Sequence, residues 1–138
     1  MDAADLIARL KLQPHPEGGW YRETWRSEAA LPDGRAAGTS ILFLLEAGQR
    51  SHWHRVDAEE VWIFQAGSPL KLLTAQGQEV TETRLGPGPG QSPQHVVRTR
   101  EWQAAEADRG WTLVACVVVP GFRFEGFELA PPGWTPTA

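Results

Sequence analysis

The chain has 138 residues, 41% of them hydrophobic, and carries 13 Lys plus Arg against 17 Asp plus Glu, a net charge of −4. Those values predict one globular domain over residues 1–138, exclude a disordered chain, and argue against nucleic acid as the main partner, which needs a basic stripe. Cys116 is the only cysteine, so no internal disulfide is available. No apolar run approaches the ~18 residues of a membrane span, and the expected compartment is the cytoplasm.

Asp2 to Leu12 predicts the one helix. Leu6, Ile7 and Leu10 share a face, Asp2 or Asp5 caps the start, and Pro14 and Pro16 end it. Charged residues at Asp2, Asp5, Arg9 and Lys11 interrupt this stretch, which does not read as a signal peptide. The remainder consists of short β-runs between turn signals. Gly19 to Ser27 alternates, with Trp20, Arg22 and Thr24 on one side and Tyr21, Glu23 and Trp25 on the other. A polar loop from Ala29 to Gly38 leads into the apolar run Thr39 to Leu45. Gly48 to Val56 and Glu60 to Ala66 follow, then a hairpin of Pro69 to Ala75 and Gln78 to Leu85 around Gln76-Gly77. Gly86-Pro87-Gly88-Pro89-Gly90 is a stiff loop. His95 to Arg98, Trp102 to Ala105, Trp111 to Val119 and Phe122 to Leu129 are the last runs, and Pro131 to Ala138 reads as a frayed tail. About ten strands and one small helix, with 7 Trp against 1 Tyr, predict an all-β sandwich or barrel with an aromatic interior.

The strongest chemical signal is His52-Trp53-His54, followed by Glu59, Glu60 and Gly67. Residues two apart on a strand share a face, so strand parity sends His52 and His54 into one cavity and Trp53 away from it. The same parity puts Glu60 with the histidines and Glu59 on the other side. Two imidazoles and a carboxylate suit a divalent metal (Mn, Fe, Ni or Zn) with open positions left for substrate. The alternative is a polar pocket without metal, in which Glu60 pairs with Arg55 or Arg22.

The set Gly48, His52, His54, Glu60 and Gly67 resembles the first motif of the cupin superfamily. Pro14-His15-Pro16-Glu17-Gly18-Gly19, Arg22-Glu23-Thr24, Thr39-Ser40-Ile41, Ser51 to Trp62 and Pro120-Gly121-Phe122 resemble, in order, one small single-domain cupin family of largely uncharacterised function. The resemblance implies a double-stranded β-helix, or jelly-roll barrel, and a homodimer paired through sheet edges. It also implies Gln103 at the place of a fourth metal ligand. The second cupin motif is otherwise altered, because Arg98 and Arg100 stand where proline and glycine are usual. His95 is a candidate substitute for the missing histidine. Glu17-Gly18-Gly19 reads as turn chemistry, since no helix follows to hold a phosphate. Cys116 reads as a small core residue.

Wider relatives include dTDP-sugar epimerases, dioxygenases, decarboxylases and storage proteins. Three functions therefore compete. The first is an isomerase or epimerase on a sugar or related polyhydroxy carbonyl compound, with His54, Glu60 and Glu23 catalytic. Arg22, Thr24, Arg55, Trp62 and Trp102 would then hold this small-molecule substrate. The second is a metal-dependent oxygenase or decarboxylase held by His52, His54, Glu60 and Gln103. The third is a non-catalytic small-molecule binder.

Overall fold

The computed structural model describes residues 1–137. Helix α1 spans Ala3–Arg9. Asp2 caps it: its carboxylate accepts from the Asp5 amide (2.9 Å), and the Asp5 carboxylate accepts from the Asp2 amide (3.2 Å). Eleven strands follow: β1 (Gln13–Pro14), β2 (Trp20–Arg26), β3 (Thr39–Leu45), β4 (Arg50–Val56), β5 (Glu59–Gly67), β6 (Leu70–Gln76), β7 (Glu79–Leu85), β8 (Gln94–Val97), β9 (Trp102–Glu106), β10 (Thr112–Val119) and β11 (Phe127–Leu129).

They form two antiparallel sheets. One has the order β1-β2-β3-β10-β5-β8 and the other β11-β4-β9-β6-β7. Alternation decides which side chains meet between them. Phe43 and Leu45 of β3, Trp62 of β5, Leu70 and Leu72 of β6, and Val114 and Cys116 of β10 are all at most 2% exposed and pack in one cluster. Cys116 is part of that core, as its valine-rich setting suggests. Burying each such side chain contributes roughly 1.5–3 kcal/mol. Helix α1 lies outside this sandwich. Its Leu6 joins Leu12, Leu44 and Leu113 to cover one end of the outer face of the first sheet.

Two sequence expectations change. Phe122 to Leu129 is not one strand: a 3₁₀ turn, Phe124–Gly126, precedes β11. Gly126 there lies against the Asp57 carboxylate, where a side chain would collide. The tail is not frayed over the described residues. Trp134 stacks on Trp102 (4.5 Å between centroids) and meets Trp53 edge-on (6.4 Å), covering the outer face of the second sheet. Ala138 lies outside the described residues. No described helix is long and apolar enough to cross a membrane.

Candidate active site

One end of the sandwich opens into a cavity of about 450 Å³. Its floor carries His15, Glu17, His54 and Glu60, all buried. Its mouth carries Tyr21, Glu23, Arg26, Arg123 and three phenylalanines, Phe122, Phe124 and Phe127.

Glu17 reaches the floor because the chain reverses tightly before β2. The Gly18 amide donates to the His15 carbonyl (3.0 Å), and the His15 amide donates to the Gly19 carbonyl (2.9 Å). Gly18 has φ +104°, and a Cβ there would strike the Arg50 carbonyl. The His52 amide donates to the Glu17 carbonyl (2.8 Å), fixing this turn to β4. The Glu17 carboxylate is thereby pressed inward. Oε2 lies 2.9 Å from His54 Nδ1 and accepts from the Ser51 hydroxyl; Oε1 lies 3.2 Å from His15 Nδ1.

His54 and His52 do not share the cavity, contrary to the parity expectation. The pairing of β4 with β9 runs Ser51↔Ala105 and then His54↔Gln103, with a register shift between them. Two residues, His52 and Trp53, therefore face the single residue Ala104, which is a β-bulge. Ser51 and His54 both turn inward. Trp53 packs outside with Ala104 and Ala130, and His52 Nε2 donates to the Pro131 carbonyl (2.9 Å).

Period-2 alternation does hold along this part of β5. Glu60 and Trp62 face inward and Glu59 is exposed. Gln103, fully buried, lies beneath Glu60. Its carbonyl accepts from the Trp62 indole N–H (2.7 Å) and its amide donates to Glu60 Oε1 (3.0 Å). An indole nitrogen can only donate, so the Gln103 amide has one possible orientation.

The electrostatics follow from burial and proximity. Burial alone would lower the pKa of His54, but the adjacent Glu17 carboxylate, with Glu60 assisting, raises it to about 9. Burial raises Glu60 to about 7; His54 opposes the rise and Glu17 adds to it. Burial also acts to raise Glu17, yet its bonds and proximity to His54 hold it below the ordinary carboxylate range. Burial lowers the pKa of His15. At neutral pH the floor is thus an imidazolium on a carboxylate, next to a second carboxyl poised to lose its proton.

The other expected site residues divide. Glu23 lines the mouth, but both its oxygens accept from Arg26 (3.2 and 2.7 Å). Arg22 and Thr24 do not line the cavity. Arg22 alternates with the cavity-facing Tyr21 and Glu23; a second bulge, between Glu23 and Trp25, then turns Arg26 inward, and the Thr24 hydroxyl donates to the Ser40 carbonyl. Arg55 and Trp102 stack on each other outside (4.6 Å), with Arg55 paired to Glu128. Trp62 sits in the core beneath the floor and does not wall the cavity. His95 pairs opposite Trp62 on β8 and is not a cavity residue. From the sequence, His15 and Glu17 stood only in a family motif and a turn, and Arg26 and Arg123 had no site role. His15 and Glu17 sit in a glycine turn whose inward aim depends on docking against β4.

The expected metal ligands do not converge. His52 faces away, and Gln103 has committed its carbonyl to Trp62 and presents an amide, not a donor oxygen, to Glu60. Only His54 and Glu60 of the four face the cavity. Among the described residues no three His, Cys, Asp or Glu side chains are grouped to hold a metal ion. The residues present do not fit the expected ligand set.

The family described as Cupin superfamily (DUF985) matches residues 4–130. A crystal structure of a protein from Shewanella oneidensis is 40% identical, with a TM-score of 0.89 over 94% of this chain and 85% of that one. A hypothetical protein from Leishmania major is 31% identical, with a TM-score of 0.86 over 94% and 88%. An oxalate decarboxylase from Bacillus subtilis is 14% identical, with a TM-score of 0.65 over 84% of this chain and 29% of that one, a likeness of fold alone. No protein with a curated description matches.

Proposed function

The chain belongs to the DUF985 family of the cupin superfamily, and from that premise we propose that its cavity is an acid–base site that moves a proton next to a carbonyl. The reaction is isomerisation or epimerisation of a sugar or related polyhydroxy carbonyl compound. The observation that carries this reading is the floor itself: His54 held on Glu17, with Glu60 beside it in a cavity large enough for a small metabolite.

The roles follow from charge. Glu60, ionised near neutral pH, accepts the proton from the carbon next to the carbonyl. The electron pair left there becomes the new C=C bond. The carbonyl π electrons pass to oxygen, which takes the proton from His54. Glu60 then returns its proton to the former carbonyl carbon, which isomerises the substrate, or, once the intermediate has turned its other face to Glu60, to the same carbon, which epimerises it, and His54 recovers its own from an enediol hydroxyl. Glu17 keeps His54 charged and oriented. Arg26 and Arg123, tied to Glu23 and Asp57, leave further N–H groups at the mouth for polar or anionic parts of the substrate.

The test is incubation of the protein with a panel of aldoses, ketoses and nucleotide sugars in D2O, read by NMR. Deuterium entering next to the carbonyl supports the reading. Tight binding without exchange supports a non-catalytic binder instead.

A homodimer is proposed with it. β2 pairs with β1 over only two residues, leaving its Glu23–Arg26 edge open, and Trp25 is 50% exposed there. Light scattering checks the mass.

A further inference from the structure

We propose that His15 is a second, neutral N–H donor in this cavity, and that His15 and His54 together hold the two neighbouring oxygens of an α-hydroxy carbonyl substrate and of the enediol derived from it. This inference rests on the acid–base reading above and narrows its substrate class.

Two groups meet His15 Nδ1: Glu17 Oε1 lies 3.2 Å away without forming a hydrogen bond, and the backbone amide of the same residue is aligned to donate, so the backbone assigns the tautomer. The Glu17 amide donates to His15 Nδ1 (3.1 Å). A nitrogen that accepts that bond carries no proton, so the ring proton of neutral His15 lies on Nε2. His54 is held by the same carboxylate from its other oxygen. Its Nδ1–H is shared between Glu17 Oε2 (2.9 Å) and the His52 carbonyl (2.8 Å). One carboxylate thus lies beside both Nδ1 atoms, one on each oxygen, and each ring turns Nε2 away from it.

Among the described residues no fully buried polar side-chain atom lacks a partner, and neither Nε2 has a partner there, so neither is fully buried, and both residues line the cavity. His15 is also immobilised. Its ring lies edge-on to Tyr21 (4.6 Å between centroids), Phe43 (5.8 Å) and Phe127 (6.0 Å). A packed imidazole with its proton aimed into a cavity is pre-organised to donate to substrate. Two such donors on one carboxylate favour a ligand with two adjacent oxygens over a ligand with one.

Acetohydroxamate, a neutral planar molecule with two neighbouring oxygens, is the probe, and acetamide, with one, is the control. NMR titration of wild type, His15→Phe, His15→Gln and Glu60→Gln measures binding. Wild type should prefer acetohydroxamate. His15→Phe keeps the aromatic packing and should weaken acetohydroxamate about tenfold, one buried hydrogen bond, with acetamide unchanged. His15→Gln should recover part of the loss. Glu60→Gln should still bind, so failed proton transfer and a failed donor pair give different outcomes. Wild type that does not prefer acetohydroxamate, or equal binding by His15→Phe, overturns the inference. Imidazole ¹⁵N shifts of wild type test it independently: His15 protonated at Nδ1 refutes it, and protonated at Nε2 supports it.

Discussion

Glu17→Gln removes the charge that keeps His54 protonated, and the consequence is measurable as stability. In the unfolded chain His54 titrates near its ordinary value of 6.5. In the fold, burial pulls it down, but Glu17 and Glu60 lift it to about 9. A tenfold change in proton affinity is about 1.4 kcal/mol, so this rise stabilises the protonated folded state by roughly 3 kcal/mol. Between pH 6.5 and about 9 the folded chain keeps a proton that the unfolded chain has released. The stabilisation is complete below 6.5 and lost as pH rises through about 9. Wild-type stability should therefore fall by up to about 3 kcal/mol across that window, about 10 °C in Tm for a chain of this size. Glu60 adds a lower window. Burial raises it from 4.5 to about 7, so its contribution is complete below 4.5 and declines as pH rises through about 7. In Glu17→Gln only Glu60 is left to offset the burial of His54, and the decline above pH 6.5 should shrink to less than about 1 kcal/mol. Urea denaturation of both proteins at half-unit steps from pH 5 to 9.5 supplies the comparison. A flat wild-type profile above pH 6.5, or the same slope in the variant, refutes the reasoning.

Other perturbations have separate readouts. His52→Ala should leave proton exchange at the substrate and any uptake of Mn, Fe(II), Ni or Zn unchanged, because His52 faces the outer surface at Pro131; metal titration and exchange assays check both. Trp62→Phe removes the indole donor to the Gln103 carbonyl and should destabilise the fold by about 1–3 kcal/mol, read by chemical denaturation. Gly18→Ala forces a Cβ against the Arg50 carbonyl at a positive φ and should cost more than about 2 kcal/mol, with His54 returning toward an ordinary pKa as the Glu17 turn shifts. NMR titration of His54 detects that return.

The fold was legible because its signals are local and redundant. Apolar runs such as Thr39–Leu45 and Thr112–Val119 can only be buried strands, and the Asp2/Asp5 capping pair marks the start of the helix. The site was legible only where strand parity held. Glu60 faces inward and Glu59 outward because β5 is regular there. In β4 and β2 a bulge inserts one residue and reverses the side chains beyond it, which left His52 outside the cavity and turned Arg26 inward, whereas Arg22, ahead of the β2 bulge, faces away by ordinary alternation with Tyr21 and Glu23. No local composition marks those bulges. Glu17 was missed for a different reason. Glu-Gly-Gly in isolation is a turn, and its carboxylate becomes part of the floor only through long-range bonds to Ser51 and His54.

The pH profile of α-proton exchange in D2O, measured on wild type, Glu60→Gln and His54→Gln with an α-hydroxy carbonyl substrate, tests the acid–base pair most directly. Glu60 must be ionised and His54 protonated for the step to run. The wild-type rate should therefore rise through about pH 7, hold a plateau, and fall through about pH 9. Each variant should lose about 10²-fold or more of the rate. A wild-type rate that does not vary between pH 6 and 10, or that survives both substitutions, contradicts the assignment of Glu60 and His54 as the base and acid of this cavity.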